Sequence, residues 1–227
     1  MFTFQQYLKR PAMFRDRKDA SIQLGEALEK YKNKNALVLG IPRGGAETAY
    51  YVAKHLKAEM ALVVTRKLGH PENPEYAIGA LAEDGSLYLS PEANIYLSKE
   101  TIEDLKKDQE KEIQRRIQEF RHGNPLPALK NRTVIIVDDG IATGATLFAT
   151  IMLCKNKKAG KIVVAAPVSG EGMSRKLNEM VDDVVILETP YQYRAVSQAY
   201  QNFFNLTDEE AMFFMEKWKK ENPQSPK

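Results

Sequence analysis

The stretch Thr133-Val-Ile-Ile-Val-Asp-Asp-Gly-Ile-Ala-Thr-Gly-Ala-Thr146 constrains this chain more than any other. Val134 to Val137 is a short, β-branched apolar run, the pattern of a strand buried on both faces. Two carboxylates, Asp138 and Asp139, follow at its carboxyl end, and then a turn of small residues, Ala142-Thr143-Gly144-Ala145-Thr146. Leu147, Phe148, Ile151 and Met152 recur after it at helical spacing. Strand, hydroxyl- and glycine-bearing turn and helix N-terminus combine into an anion site, because free amides and the positive end of the helix dipole face one oxyanion. Acids beside a phosphate would repel it. They fit a ligand that also carries sugar hydroxyls, or a cation held between the acids and further phosphates.

Four more short apolar runs surround this unit: 36–39, 60–64, 162–166 and 184–187. Helical periodicity lies between them, with Ala49, Val52, Ala53 and Leu56 on one face of the helix after the first strand. Strand–helix–strand order predicts an α/β fold with a central, mostly parallel five-stranded sheet flanked by helices. We read residues 1–227 as one domain with its core at about 18–189. Leu24, Ala27, Leu28 and Tyr31 mark a first helix over Lys18–Lys32. Thr65 to Tyr76, polar and broken by Gly69, Pro71 and Pro74, reads as a mobile loop. Asp84-Gly85 predicts a hairpin between 77–82 and 86–89. Ser90-Pro91 opens a charged helical insertion over about 91–122. Between Lys99 and Arg121 it carries seven basic and seven acidic residues, a solvated face without a field of one sign. It packs along the domain or against a partner subunit, and a homodimer is left open. From Pro190 the character changes over about 190–221, with Tyr191, Tyr193, Tyr200, Phe203 and Phe204 irregularly spaced. Thr207-Asp-Glu-Glu210 is a capping box opening the last helix, and Asn222–Lys227 reads as a frayed tail.

Ligands of open parallel sheets bind beyond the carboxyl ends of the strands. Besides the acid pair, two loops of that kind carry suitable chemistry. Pro42-Arg43-Gly44-Gly45 follows the first strand, where two glycines let backbone approach an anion closely and Arg43 adds a fork of donors. A Gly-Gly turn also serves purely structural ends. Arg66-Lys67 follows the second strand and supplies adjacent cations. His55, His70 and His122 have no second His or Cys at ligand spacing and are read as surface or helix residues.

The 227 residues can bury a large core without a disulfide or metal staple. Cys154 is the single cysteine, which favours a reducing, cytoplasmic home and a packed thiol. Met1–Ala20 lacks the apolar core of a signal peptide, and no apolar run reaches membrane-spanning length. Net charge is +3, too mild to imply nucleic-acid binding.

The Val134–Thr146 stretch resembles the phosphoribosyl-pyrophosphate (PRPP) signature of the type I phosphoribosyltransferases: an aliphatic run, two acids, a spacer and Thr/Ser-Gly-x-Thr. The whole chain is most similar to that family's uncharacterised branch, through Phe14-Arg-Asp-Arg-Lys18, Ile41-Pro-Arg-Gly-Gly45, Arg66-Lys-Leu-Gly69, Asn73-Pro-Glu-Tyr-Ala-Ile-Gly79 and Pro190-Tyr-Gln-Tyr-Arg-Ala-Val196. The resemblance implies the type I phosphoribosyltransferase fold. It implies that Asp138 and Asp139 hold the ribose hydroxyls, directly or through water on Mg2+, as the metal-binding pair. Gly140, Ile141, Ala142, Thr143, Gly144, Ala145 and Thr146 then receive the 5′-phosphate and ribose, and Arg43, Gly44, Gly45 and Lys67 the pyrophosphate. Arg66 and Lys67, with the acid pair, are the expected catalytic residues, on a flexible loop that closes over PRPP. It also implies a hood drawn from the N-terminal segment and from Pro190 onward, whose acceptor side Val168, Tyr191, Tyr193 and Arg194 would form, unless the two tyrosines merely pack its core.

Two departures qualify the match. Gly140 replaces an aliphatic residue, and Ala142 stands where many relatives carry an aspartate proposed to handle a proton on the base. The 167–169 turn also lacks the lysine that reads a 6-oxopurine, which with Ala142 argues against hypoxanthine or guanine. The expected activity is Mg2+-dependent phosphoribosyl transfer from PRPP to an unidentified, nitrogenous small-molecule acceptor. The alternatives are a non-catalytic PRPP- or nucleotide-sensing regulatory protein, or hydrolysis at the same site. Neither a membrane nor a nucleic acid is an expected partner.

Overall fold

The computed structural model describes residues 13–223. Its strands are β1 (Leu37–Gly40), β2 (Glu59–Leu62), β3 (Thr65–His70), β4 (Asn73–Ala82), β5 (Leu87–Leu89), β6 (Thr133–Val137), β7 (Lys161–Val168) and β8 (Asp183–Glu188). Its α-helices are α1 (Arg17–Ala27), α2 (Gly44–Leu56), α3 (Pro91–Tyr96), α4 (Lys99–Arg121), α5 (Ala145–Asn156), α6 (Met173–Asn178) and α7 (Asp208–Glu221). Five parallel strands form the central sheet in the order β2-β1-β6-β7-β8. This is the expected α/β architecture, with each core strand within two residues of its place in the sequence reading.

Both faces of the sheet are covered, which explains why its strands read as unbroken apolar runs. Val38, Met60, Leu62, Ile135, Val137 and Val163 share one cluster with Leu24, Leu28, Ala49, Val52, Ala53, Leu56 and Trp218, from α1, α2 and α7 and the turn after α1. Their neighbours in sequence, Leu37, Leu39, Val134, Ile136 and Val164, pack on the opposite face with Leu147, Phe148, Ile151 and Leu153 of α5. Each Val, Leu, Ile, Phe or Met side chain among them contributes about 1.5–3 kcal/mol when taken from water. The first connection, α2, and the third-strand connection, α5, therefore leave the sheet on opposite faces. The strand order reverses between β1 and β6, and a crevice opens there at their carboxyl ends.

One expectation is corrected. Thr65–Tyr76 is not an irregular loop: β3 and β4 pair antiparallel across Pro71-Glu72, and β5 completes a three-stranded sheet. Gly69 sits at register shifts on both sides, so it marks a bulge within the hairpin. This second sheet packs against α5 and α4. Ser90 and Ser98 each cap a helix, accepting from the amides of Ala93 and Thr101, and the charged helix ends at His122 in the left-handed conformation. Its inner stripe joins two clusters, Leu105 with Leu68 and Ile78, and Ile113 and Phe120 with Leu81.

The hood is built from both ends of the described chain. Phe14 forms a parallel bridge with Tyr200, and the two pack with Val168 and Ala199. Thr207 and Glu210 form the capping box that opens α7, each accepting the other's amide at 3.2 and 2.8 Å. The tail from 224 onward lies outside the described residues, as does residue 12 and everything before it.

Candidate functional site

Two turns meet at the crevice. The one after β6 carries Asp138 and Asp139; the one after β1 carries Pro42, Arg43 and Gly44, with a cis Pro42–Arg43 peptide. They touch because residue 44 lacks a side chain. A Cβ there would lie 1.8 Å from Asp139 Oδ2, so any other residue would displace the carboxylate. Beyond them Gly144 ends the turn and α5 begins at Ala145, with the hydroxyl-bearing Thr143 exposed and Thr146 half-buried. The result is a cleft of about 460 Å3, with Lys67 from the β3–β4 hairpin at its edge.

Arg17 closes the floor. Its Nε and Nη2 both lie 2.9 Å from Asp139 Oδ2, and Nη1 lies 3.4 Å from Glu47 of α2. Nη2 also donates to the carbonyl of Phe204 at 3.1 Å, and the guanidinium stacks 4.6 Å from the centre of the Phe203 ring. Tyr200 donates from its hydroxyl to the Asp139 carbonyl at 2.5 Å. Hood and acid pair are thus tied together by side chains from both termini.

Burial drives the Asp138 carboxyl well above the usual carboxylate range, and the neighbouring Asp139 charge adds to this. Burial also raises Asp139, but the Arg17 charge and hydrogen bond pull against it. Glu47 is raised by burial, again opposed by Arg17. The Tyr193 phenol is raised by burial and then by the Asp139 charge, and its hydroxyl has no hydrogen-bond partner among the described residues.

Asp138 through Gly144, Thr146, Arg43, Gly44 and Lys67 all line the cleft. Gly45 lies beneath it, close to the Val137 carbonyl and Asp138, and Ala145 is buried in the first turn of α5. Arg66 does not join them. Successive side chains of a strand point to opposite faces, so with Lys67 facing the cleft Arg66 turns onto α4, where it donates to Gln109 Oε1 at 3.2 Å. Val168 is buried behind Gly140 and Tyr193 packs against Gly170. Tyr191, 67% exposed, and Arg194 are carried outward past the left-handed Gln192 and do not line the cleft.

The hood wall is instead Ala195, Val196, Ser197, Phe203, Asn205 and Leu206. Val196 explains Gly140: a Cβ at 140 would lie 2.6 Å from Val196 Cγ1 and 2.9 Å from Val168 Cγ1. Sequence reasoning missed these residues and Arg17. Arg17 lies in the Phe14–Lys18 stretch and opens α1, where the helix dipole does not favour a cation, but that local feature names no partner. Among the described residues, no group of three or more His, Cys, Asp or Glu side chains could hold a metal ion. No helix there is long and apolar enough to cross a membrane.

Comparison with known proteins places this geometry in context. The family description "Phosphoribosyl transferase domain" matches residues 3–200. A Mycobacterium tuberculosis protein named "Putative phosphoribosyl transferase Rv0571c" is 39% identical over 207 residues, 90% of this chain and 47% of the relative. The chain thus spans about half the length of the curated relatives it matches. The crystal structure of TT1426 from Thermus thermophilus is 36% identical with a TM-score of 0.77, covering 90% of this chain and 98% of that one. A "Transcriptional regulator GfcR" of Methanosphaera stadtmanae is 37% identical over 57 residues, 25% of this chain and 29% of the regulator.

Proposed function

The chain belongs to the phosphoribosyl transferase family, a family of transferase enzymes, and from that premise we propose that its cleft binds PRPP and transfers the phosphoribosyl group to a small nitrogenous acceptor. One observation carries this reading. The acid pair, the Thr143–Thr146 turn, Arg43-Gly44 and Lys67 come from three separate segments and line one cleft at the reversal of strand order. Hydroxyl recognition, a phosphate cradle and cations for a second phosphate group are the three things a sugar bearing phosphate and pyrophosphate requires.

In the proposed reaction an acceptor nitrogen attacks C1 of the ribose as the C1–O bond to pyrophosphate breaks. Pyrophosphate leaves with the bonding electrons through an oxocarbenium-like state, and the acceptor gives up its proton. Asp138 and Asp139 orient the ribose through its hydroxyls. The turn amides with Thr143 and Thr146 anchor the 5′-phosphate. Arg43, the Gly44 amide and Lys67 stabilise the charge that develops on pyrophosphate, which is electrostatic catalysis. Ala142 brings no titratable group, so proton removal is not assigned to that position.

Mg2+ belongs to this proposal. The donor set fits an ion that keeps most of its waters and takes further oxygens from substrate, since two acids are present and Asp139 Oδ2 is already engaged by Arg17. When bound, it would offset charge on the pyrophosphate. The single thiol, Cys154, is buried and pushed up to about 12, which fits an inert packed residue in a reducing, cytoplasmic setting.

The short similarity to a transcriptional regulator supports a second reading, a PRPP- or nucleotide-sensing module. One experiment separates them: incubation with PRPP and Mg2+ across a panel of nucleobases and amines, with pyrophosphate as readout. Acceptor-dependent release supports transfer. Release without acceptor means hydrolysis, binding without release supports the sensor, and no binding ends the donor-site reading.

A further inference from the structure

We propose that Arg17 is a positioning residue that couples the hood to the donor cradle, so that ordering of Asp139 by a donor also orders the hood wall. The inference rests on the PRPP reading of the cleft. Arg17 is 6% exposed, yet it reaches three separate parts of the fold: Asp139 in the cradle, Glu47 on α2, and Phe203–Phe204 in the hood. A guanidinium is a planar, rigid fork, so partners in its plane and a ring on its face together fix its orientation. A shift of Phe203–Phe204 must move the guanidinium relative to Asp139 or break a charge-assisted hydrogen bond. Closely packed interiors make such responses discrete rather than gradual.

The placement matters because Arg17, Asp139 and Phe203 line the same cleft, and Asn205 and Leu206 follow directly along the hood wall. The cleft above Asp139 and the hood wall at 203–206 therefore share one side chain. Linkage makes the coupling reciprocal: whatever a donor contributes to hood order, an occupied hood returns as donor affinity. A lysine cannot reproduce this. It keeps the charge but not the fork.

The test is hydrogen exchange of the full chain with PRPP and Mg2+, in the wild type, Arg17→Met and Arg17→Lys. In the wild type, PRPP is expected to slow exchange in the cradle (138–146) and also in the hood (195–206). In Arg17→Met, affinity falls about tenfold, cradle protection survives at saturation and hood protection is lost. Arg17→Lys regains part of the affinity without the hood protection, and it carries the same readout should Arg17→Met fail to fold. A purely structural role would predict unchanged coupling in any folded variant. Hood protection at the wild-type level in either variant overturns the proposal, as does a wild-type hood indifferent to bound PRPP. Absence of PRPP binding to the wild type is a distinct result that removes the donor reading and this inference with it.

Discussion

At the scale of single residues, the site depends on what is missing as much as on what is present. Gly44 is the sharpest case, since an added Cβ would overlap the Asp139 carboxylate. Gly44→Ala is expected to leave the circular dichroism spectrum unchanged while weakening PRPP–Mg2+ binding at least about tenfold, measured by calorimetry. Wild-type affinity would show that Asp139 is not held where the ligand needs it. Asp139→Asn should lower pyrophosphate release by about a hundredfold or more under the same reading. Retained turnover in that variant would remove Asp139 from the donor site. Arg66 teaches the complementary lesson. It sits beside Lys67 in sequence but across the strand from it in space.

At the scale of elements, α4 is pinned by charge at both of its seams. Arg121 at its end is 6% exposed and forms a two-pronged pair with Glu83 in the β4–β5 turn, one bond at 2.9 Å. Arg121→Met strands Glu83 in a buried place and should cost about 3–5 kcal/mol by chemical denaturation, whereas replacing both partners with apolar residues should cost far less. Nearer the middle, Arg115 and Arg116 bind Glu112 and approach Asp208 at the start of α7. The hydrogen bond from Arg115 is the main cause holding Glu112 down at about 2, against an ordinary value of 4.5. An acid depressed in the folded state contributes stability that is fully present above its unfolded value and is lost as pH falls. The loss therefore runs from about pH 4.5 down to about 2. Glu112→Gln should show a smaller drop in melting temperature between pH 6 and pH 3 than the wild type; an equal drop would mean that Glu112 carries no pH-linked stability.

At the scale of the whole molecule, a ligand that joins β1, β6, the hairpin and the hood should stabilise all of them together. PRPP with Mg2+ at about a hundred times its dissociation constant would add about 2.7 kcal/mol, or roughly 5–10 °C in melting temperature. No shift at saturating concentration would argue against a donor site in this cleft.

Much of this architecture was legible beforehand. Residues 134–137 and the four other apolar runs form the central sheet in one α/β arrangement, because a strand buried on both faces must be apolar at every position. The Asp138–Thr146 turn was legible because its chemistry is local, with acids, small residues and a helix start contiguous in the chain. The β3–β4 hairpin was not, since Gly69, Pro71 and Pro74 read as loop punctuation and its main partners, Ala77–Ala82, were read as pairing with 86–89 alone. The sequence by itself thus determined the sheet, the acid pair and the small-residue turn that opens α5. Which side chains share the cleft with them was decided by the tertiary structure, through strand alternation at Arg66-Lys67 and through the return of residues 196–206 over Gly140. The contact of Arg17 with Asp139 joins residues 122 positions apart, and no local pattern of periodicity or spacing encodes a pairing at that range.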